Sequence, residues 1–217
     1  MDPLRLTRAV LLAAALLPAA GCGAVHVDRL DGEVALFNGR DLTGWKVLRA
    51  GWFDAPGHVA VADGRIVLSA GDALTGVAWR GRFPADGYEV ELEAMRVAGE
   101  DFFCGLTFPV GGSHCTLIVG GWGGQVVGLS NVNEAAADCN ETTEMMTFEK
   151  GRWYEVRLRV AAGRVRVWIA GERVIDLPTP GRRFDVWPQQ EPARPFGVAT
   201  WHTTGALRNI RLRPAGH

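Results

Sequence analysis

Apolar and polar side chains alternate with a period of two along most of the chain from Val34 onward, and this pattern constrains the fold most strongly. In a β-strand successive side chains point to opposite faces, whereas a helix repeats every 3.6 residues. Almost no stretch keeps the helical period for three turns, and only residues 134–138 favour about one turn of helix. The pattern therefore predicts an all-β protein.

Short predicted strands follow one another with turns between them. The dipeptides Asp63-Gly64, Ala162-Gly163 and Ala170-Gly171 predict tight hairpin connections. Many short strands at this spacing favour a β-sandwich of two antiparallel sheets packed face to face, and 217 residues suit a single domain of this kind. The predicted strands span residues 34–37, 45–49, 58–62, 65–70, 76–80, 88–97, 102–108, 114–119, 125–129, 145–149, 153–161, 164–169, 173–177, 196–201 and 206–213.

The first 21 residues have the pattern of an export signal. Arg5 and Arg8 give a positive start, an apolar run follows, and small residues precede Cys22. Cys22 stands where a bacterial lipobox places its lipidated cysteine, although Ala19 departs from that pattern. An ordinary secretory peptide is the alternative. The apolar run is shorter than the roughly 20 helical residues that cross a bilayer.

These features predict a location as well as a domain boundary. We expect a signal peptide over residues 1–21, lipidation of Cys22, a linker over residues 22–32 and one domain over residues 33–214. The mature protein is then a lipoprotein of the bacterial cell envelope, anchored in the outer membrane and facing the periplasm or the exterior. Its net charge of −1 provides no basic field, so we expect no nucleic-acid partner.

Residues 36–45 read as a strand, a turn at Asn38-Gly39 and a second strand that reaches Trp45. This stretch resembles the N-terminal signature of the 3-keto-disaccharide hydrolase family. Three further features fall in the family's order: Gly51-Trp52-Phe53, a hairpin over residues 59–68, and the closing segment 207–213. The resemblance implies a concanavalin A-like jelly roll and cleavage of the glycosidic bond in 3-keto-glycosides.

Residues 101–117 depart from the family pattern. Relatives generally carry a Gly-Asn-Ser-Gly motif near this position, followed by a strand with an arginine and then a Tyr-Glu pair. This chain contains neither motif here, so no active-site residue of the family can be assigned to it by position. The chain is a divergent member, and its site has to be sought among its own residues.

A cluster of sugar-compatible groups lies on predicted loops. Trp122 stands between two Gly-Gly pairs, which let the backbone approach a ligand and leave the indole accessible. We expect substrate contacts from Trp122, Asn131, Asn133, Asn140, Trp201 and His114. The bases that could act in catalysis are His202, Glu134 and Glu141. Polar loops and glycine-rich turns also prefer these residue types without any ligand.

Glu89, Glu91 and Glu93 alternate along one predicted strand and share one face. Jelly-roll glycosidases place their two carboxylates on one strand, but their Glu-x-Asp-x-x-Glu spacing is absent here. Arginines alternate in the same way on the predicted strands 153–161 and 164–169. We therefore interpret the glutamates as part of a ladder of opposite charges on a solvated sheet face.

The remaining candidates concern cofactors and disulfides. We expect no cofactor, with Ca²⁺ as an alternative that Asp138, Asn140 and Glu141 could bind through oxygen atoms. Cys104, Cys115 and Cys139 lie in an export context that permits disulfides, but three cysteines cannot all pair, and spacing does not fix the partner.

The sequence supports two readings of function. The first is an exported protein that binds carbohydrate and, if active, cleaves 3-keto-glycosides as the resemblance implies. The alternative is a noncatalytic carbohydrate-binding or structural envelope module. The sugar and the oligomeric state are not fixed by the sequence.

Overall fold

A computed structural model describes residue 30 and residues 32–216 of the chain. The predicted signal peptide, Cys22 and most of the predicted linker lie outside the described residues. Within residues 32–216 the chain forms fifteen strands and two short 3-10 helices, which confirms the all-β prediction. Among the described residues, no helix has the length and apolar character needed to cross a membrane.

The strands form two antiparallel sheets, which confirms the predicted sandwich. The strands are β1 (Val34–Ala35), β2 (Trp45–Val47), β3 (Val59–Ala62), β4 (Arg65–Leu68), β5 (Leu74–Trp79), β6 (Tyr88–Ala98), β7 (Cys104–Val110), β8 (Ser113–Gly121), β9 (Val126–Ser130), β10 (Glu144–Met145), β11 (Trp153–Ala161), β12 (Arg164–Ile169), β13 (Glu172–Pro178), β14 (Gly197–Trp201) and β15 (Thr204–Pro214). The larger sheet has the order β13-β12-β11-β6-β15-β4-β3, with β1 paired to β15. The smaller sheet has the order β10-β9-β8-β7-β14-β5-β2.

Tight turns join neighbouring strands where the sequence predicts them. Asp63, Ala162 and Ala170 each adopt a positive φ near 50°, and the glycine that follows each of them is also at positive φ. Two successive residues at positive φ match the right-handed twist of the flanking strands. The β3–β4, β11–β12 and β12–β13 hairpins are therefore set by local sequence.

The inward-facing residues of both sheets form one continuous hydrophobic core. Alternate residues of β6, such as Val90 and Leu92, are fully buried in it. The hydroxyl of Tyr88 on the larger sheet donates to the carbonyl of Pro109 on the smaller one over 2.6 Å, so the polar end of this buried ring has a partner. The segment between β1 and β2 passes from one sheet to the other. A hydrogen bond from Trp45 Nε1 to the carbonyl of Leu36 joins the two ends of this segment.

Two local predictions differ from the structure. Residues 134–138 do not form the predicted helical turn. Ala135 pairs with Val132 as an isolated bridge, and Asn133 and Glu134 between them adopt positive φ, which a right-handed helix excludes. The predicted strand over residues 145–149 is reduced to the two residues of β10 at the edge of the smaller sheet. The 3-10 helices instead occupy Gly51–Phe53 and Pro188–Ala193.

All three described cysteines are free. Cys104 lies opposite Val119 and Cys115 lies opposite Phe108, so the two thiols do not face each other across the β7–β8 hairpin. Both are buried, and burial raises the pKa of the Cys104 thiol to about 12. Cys139 is exposed on the loop that follows β9.

The outer face of the larger sheet carries the predicted ladder of opposite charges, which confirms that interpretation. Glu89 is 1% exposed although it is a carboxylate. Burial raises the pKa of Glu89, but hydrogen bonds and charge from Arg213 and Arg159 outweigh it, so the net shift is downward. The glutamates of β6 pair with arginines on the flanking strands: Glu89 with Arg159 and Arg213, Glu91 with Arg213, and Glu93 with Arg208.

We predict that Glu89→Gln lowers the free energy of unfolding by about 2 kcal/mol near neutral pH. The substitution removes the negative charge that forms ion pairs with Arg159 and Arg213. A lowered folded-state pKa gives stability that is present above the ordinary glutamate pKa and is lost as the pH falls through the folded value. The difference between wild type and variant should therefore shrink below about pH 4, as measured by urea unfolding.

Glu149→Gln is the matched control, since Glu149 is 67% exposed and pairs only at the surface with Arg152. Its effect should stay within about 0.5 kcal/mol. Equal losses for the two variants at neutral pH would contradict the assigned role of Glu89.

Candidate functional site

The face of the smaller sheet that points away from the core is built largely from small residues. Across five neighbouring strands, one row pairs side by side in the order Gly76, Ala199, Gly105, Ile118 and Gly128. A row with so little side-chain volume leaves room for other segments to lie against the sheet. Ile118 is the one large side chain in this row.

The glycines of this row are required for close approach. A Cβ atom at Gly76 would lie 2.9 Å from Phe53, and one at Gly105 would lie 2.9 Å from Phe102. A Cβ atom at Gly128 would lie 2.6 Å from the carbonyl oxygen of Ala137. The 3-10 helix Gly51–Phe53, the segment before β7 and the loop after β9 thus rest directly on the sheet.

A cavity of about 340 Å³ lies between these segments and the sheet. Its volume falls at the lower end of the range of about 300–1,000 Å³ that is typical of small-molecule sites. The lining residues come from the sheet, from the 3-10 helix Pro188–Ala193 and from the intervening loops. They are Asp101, Phe102, Ile118, Trp122, Ser130, Asn131, Ala136, Trp187, Gln190 and Trp201.

Within the described part of the chain, Asp101 is the only ionisable residue that lines the cavity. One carboxylate oxygen accepts from the backbone N–H of Phe102 over 2.7 Å, and the other accepts from the N–H of Gly123 over 3.4 Å. The N–H of Asp101 itself donates to the hydroxyl of Thr203. These bonds fix the position of the carboxylate at the edge of the cavity.

Gln190 supplies an amide whose bonding is incomplete. The residue is 1% exposed and lines the cavity, yet its Nε2 has no hydrogen-bond partner among the residues that the structure describes. A buried donor without a partner costs free energy, and a ligand oxygen would satisfy it. Nearby, Asn131 Nδ2 donates to the carboxylate of Asp185 and Ser130 donates to Asn131 Oδ1, so these groups are already oriented.

Trp122 is carried by a turn that a buried arginine holds in place. Arg96 is 3% exposed, and its Nη2 donates to the carbonyls of Gly120 and Gly124 over 3.0 and 2.8 Å. Its Nη1 donates to the carbonyl of Phe148 over 3.3 Å. Burial lowers the pKa of this guanidinium, although neighbouring acidic groups oppose the shift. The indole of Trp122 remains 47% exposed on this turn.

The structure brings some of the sequence-predicted contacts together at the cavity. Three of the predicted substrate-binding residues line it: Trp122, Asn131 and Trp201. The other three lie elsewhere. Asn133 accepts from the backbone of Arg183, and His114 accepts from Arg194 over 3.0 Å at Nδ1.

Asn140 holds its own loop together. Its Nδ2 donates to the carbonyls of Leu129, Ala135 and Ala136, and its Oδ1 accepts from the backbone and hydroxyl of Thr142. With both ends of the amide bonded, Asn140 shapes the loop that carries Ala136, which lines the cavity.

The three predicted bases do not line the cavity. His202 is exposed, and its ring packs edge-on against the ring of Trp201. Glu134 forms an ion pair with Arg183. Glu141 forms a two-pronged bond with Arg182, which lowers the pKa of the glutamate. Their catalytic role stays a prediction that the geometry does not single out.

The calcium alternative also stays a prediction. Among the described residues, no group of three or more histidine, cysteine, aspartate and glutamate side chains is placed to hold a metal ion. Of the oxygen donors named from the sequence, Asn140 Oδ1 accepts from Thr142 and Glu141 pairs with Arg182.

Sequence reasoning did not single out Asp101, Trp187 or Gln190. Asp101 belongs to the stretch that departs from the family pattern, and the other two belong to a proline-rich irregular stretch over residues 178–195. Trp187 could have been found from the sequence, because it lies in a long irregular segment. An indole outside regular strands often lies at a surface or in a binding site.

Comparison with known families gives one match that spans nearly all of the described chain. The sequence model of the family described as 3-keto-alpha-glucoside-1,2-lyase-like domain matches residues 32–213. No curated protein matches the chain in sequence.

Comparison with solved structures shows the fold. A Crh5 transglycosylase in complex with NAG has a TM-score of 0.57 at 11% identity, with 85% of this chain and 84% of that chain covered. A β-1,3-glucanase from Mycobacterium marinum has a TM-score of 0.51 at 13% identity, with 87% and 99% covered. The carbohydrate-binding module CBM66 from Bacillus subtilis has a TM-score of 0.51 at 14% identity, with 77% and 94% covered. The concanavalin A-like jelly roll is thus confirmed.

We predict that Arg96→Met lowers the free energy of unfolding by about 3 kcal/mol, because it leaves the carbonyls of Gly120, Gly124 and Phe148 without their donor. The measurement is urea unfolding of the purified protein. The control is Arg152→Met, since Arg152 is largely exposed and should lose less than about 1 kcal/mol. Similar losses for the two variants would refute the role of Arg96 in holding the Trp122 turn.

Proposed function

The chain belongs to the family of 3-keto-alpha-glucoside-1,2-lyase-like domains, and from that membership we propose that it is a glycan-active protein that cleaves the glycosidic bond of 3-keto-glucosides in the cavity. One observation carries this proposal: among the described residues that line the aromatic cavity, Asp101 is the single carboxylate. The chemistry of a 3-keto sugar needs only one base, whereas ordinary glycoside hydrolysis needs two carboxyl groups.

That difference follows from the substrate. Retaining and inverting glycosidases use a pair of carboxyl groups about 5 to 9.5 Å apart, one as acid and the other as nucleophile or base. In a 3-keto-glucoside the ketone at C3 acidifies the proton at C2. One base can then remove this proton and start cleavage by elimination. A cavity lined by one carboxylate suits the second chemistry better than the first.

The elimination can be written with Asp101 as the base. Its carboxylate accepts the C2 proton, the C2–H electron pair forms the C1=C2 bond, and the bond from C1 to the glycosidic oxygen breaks. The leaving oxygen takes up a proton from the newly formed Asp101 carboxylic acid, which restores the carboxylate. Addition of water to the C1=C2 bond then gives the free 3-keto sugar. The backbone N–H groups of Phe102 and Gly123 hold the carboxylate in position for the first step.

The other lining groups suit sugar binding. Indoles such as Trp122 and Trp201 offer flat faces for the C–H side of a pyranose ring, and the unpartnered Nε2 of Gln190 can donate to a hydroxyl or carbonyl oxygen. A 3-keto oxygen bonded by Gln190 would draw electron density from C2 and favour loss of its proton. Gln190 is therefore the orienting donor in this proposal.

The proposal includes the location inferred from the N-terminus. An exported, lipid-anchored protein would meet its glycoside in the cell envelope, with the anchor at Cys22 and the domain joined by the short linker. Support comes from the signal pattern of the sequence alone.

A noncatalytic carbohydrate-binding module is the second candidate. It is favoured by the bonding of Asp101, because both carboxylate oxygens already accept backbone N–H groups. Such a carboxylate can serve as a fixed acceptor for sugar hydroxyls without taking up a proton. The two candidates differ in turnover and agree in binding.

We predict that the purified protein releases the aglycone from 4-nitrophenyl 3-keto-α-glucoside, and that Asp101→Asn reduces kcat by about 10²- to 10⁴-fold because the amide cannot accept the C2 proton. Release of 4-nitrophenolate is followed by absorbance. The corresponding glucoside without the 3-keto group is the substrate control and should not be cleaved.

Glu134→Gln and Glu141→Gln are the matched carboxylate-to-amide comparison variants, and His202→Ala completes the set. If Asp101→Asn keeps its activity and one of these three variants loses it, the catalytic base is the residue replaced in that variant and not Asp101. Absence of turnover by wild type, together with measurable binding of the 3-keto-glucoside, would favour the binding module and refute the lyase.

A further inference from the structure

The larger sheet carries a local excess of positive charge where β11, β12 and β13 lie side by side. These three strands contain five arginines but only three acidic residues, Glu155, Glu172 and Asp176. The five arginines are exposed or half-buried and form the arginine patch: Arg157, Arg159, Arg164, Arg166 and Arg173. The excess is local, because the chain as a whole has a net charge of −1.

One carboxylate is shared by most of the patch. Three arginines pair with Asp176: Arg164 over 2.6 Å, Arg166 over 3.2 Å and Arg173 over 3.2 Å. A single negative charge cannot neutralise three guanidinium groups. The arginines around Asp176 therefore keep positive charge with which to attract a further anion.

Two arginines of the patch stand opposite each other. Arg159 of β11 and Arg166 of β12 are direct cross-strand partners. Like charges at opposite positions destabilise a sheet. The carboxylates on either side, Glu89 and Asp176, are each shared with another arginine. Sheet stability does not account for this pair, whereas an anion bound over both guanidinium groups would relieve their repulsion.

Arg157 is held in place by an aromatic ring rather than by a carboxylate. Its guanidinium lies over Trp168, 4.2 Å from the ring centroid. Its Nε is buried and has no hydrogen-bond partner within the described part of the chain. The glutamate opposite it on β6, Glu91, pairs with Arg213 instead. The ring fixes the plane of the guanidinium, and a planar fork of N–H donors suits a sulfate or carboxylate group.

The arginine patch is too wide for one small anion. Neighbouring strands lie about 4.8 Å apart and residues two positions apart along a strand about 6.8 Å, so a patch on three strands spans about 10 Å. One sulfate or carboxylate group bonds one or two guanidinium groups. A partner that repeats its anionic groups along a chain can engage several of these arginines together.

The patch has no protruding apolar side chain that could enter a bilayer. The large hydrophobic residues that the structure shows exposed are Trp52, Val97, Trp122 and Met145, and none of them belongs to β11, β12 or β13. Attachment to a lipid surface draws on buried apolar area as well as on charge. A flat, charged sheet face therefore suits a hydrated polymer better than a membrane.

We propose that the arginine patch binds an acidic polysaccharide, which carries sulfate or carboxylate groups along its chain. The patch lies on the outer face of the larger sheet, whereas the cavity lies on the outer face of the smaller one. A polysaccharide bound to the patch leaves the cavity open. This surface attaches the protein to an acidic glycan, and the binding does not depend on the proposed lyase activity.

The test uses dextran sulfate and polygalacturonate as probes, with neutral dextran as the uncharged comparison, titrated into the protein by calorimetry at low salt. We expect binding of at least one acidic polymer, which identifies the anionic group, and no binding of dextran. Arg157→Gln combined with Arg164→Gln should weaken the binding about 10-fold, because two charge-assisted contacts are lost. Added salt should weaken the wild-type complex more steeply than that of the variant.

Arg40→Gln combined with Arg152→Gln is the matched control, since it removes the same charge from two exposed positions outside the patch. It should weaken the binding less than about 2-fold. Arg157→Lys combined with Arg164→Lys keeps the charge and should lose less affinity than the glutamine pair, and urea unfolding checks that each variant folds.

Three results would overturn the proposal. The first is an equal loss of affinity in the patch variant and the matched control. The second is failure of both acidic polymers to bind. The third is tighter binding of a DNA duplex, or of a vesicle of phosphatidylglycerol and phosphatidylcholine, than of either polymer. Absence of aglycone release by wild type would refute the lyase alone, because the polymer titrations do not involve the cavity.

Discussion

The close approach of three covering segments to one face of the smaller sheet is the constraint on which the site depends. Glycines at positions 76, 105 and 128 leave no side chain where Phe53, Phe102 and the backbone at residue 137 contact the sheet. Protein interiors tolerate little extra volume, so a methyl group at these places would push the covering segments outward. The cavity forms because one row of this face carries almost no side chains, and because loops cover the sheet around Ile118.

The two sheets contribute to the molecule in different ways. On the outer face of the larger sheet the three glutamates of β6 form ion pairs with arginines of the neighbouring strands. The smaller sheet bears the cavity. Arg96 extends from the larger sheet to the turn that carries Trp122. The position of this wall of the cavity therefore depends on a hydrogen-bonded cation buried between the sheets.

The two candidate functions differ in the role that they give to Asp101. Its carboxylate is the one ionisable group that residues 32–216 place in the cavity lining. Elimination from a 3-keto sugar needs one base, whereas ordinary hydrolysis needs two carboxyl groups. The same carboxylate is also well bonded to the backbone, which suits a fixed acceptor in a binding module. The aromatic walls serve either function, because stacking orients a sugar whether or not it reacts.

The sequence by itself determined the fold class, the hairpins at Asp63-Gly64 and its counterparts, and the charge ladder of β6, because these features follow from alternation and turn chemistry within a few residues. It also indicated Trp122, Asn131 and Trp201. Only the tertiary structure decided which polar groups line the cavity. Asp101 and Gln190 are about 90 residues apart in the chain and both line it, whereas Glu141 pairs with Arg182 and does not. Local patterns fix the direction of a side chain relative to its strand, but the partner it meets depends on how distant segments pack.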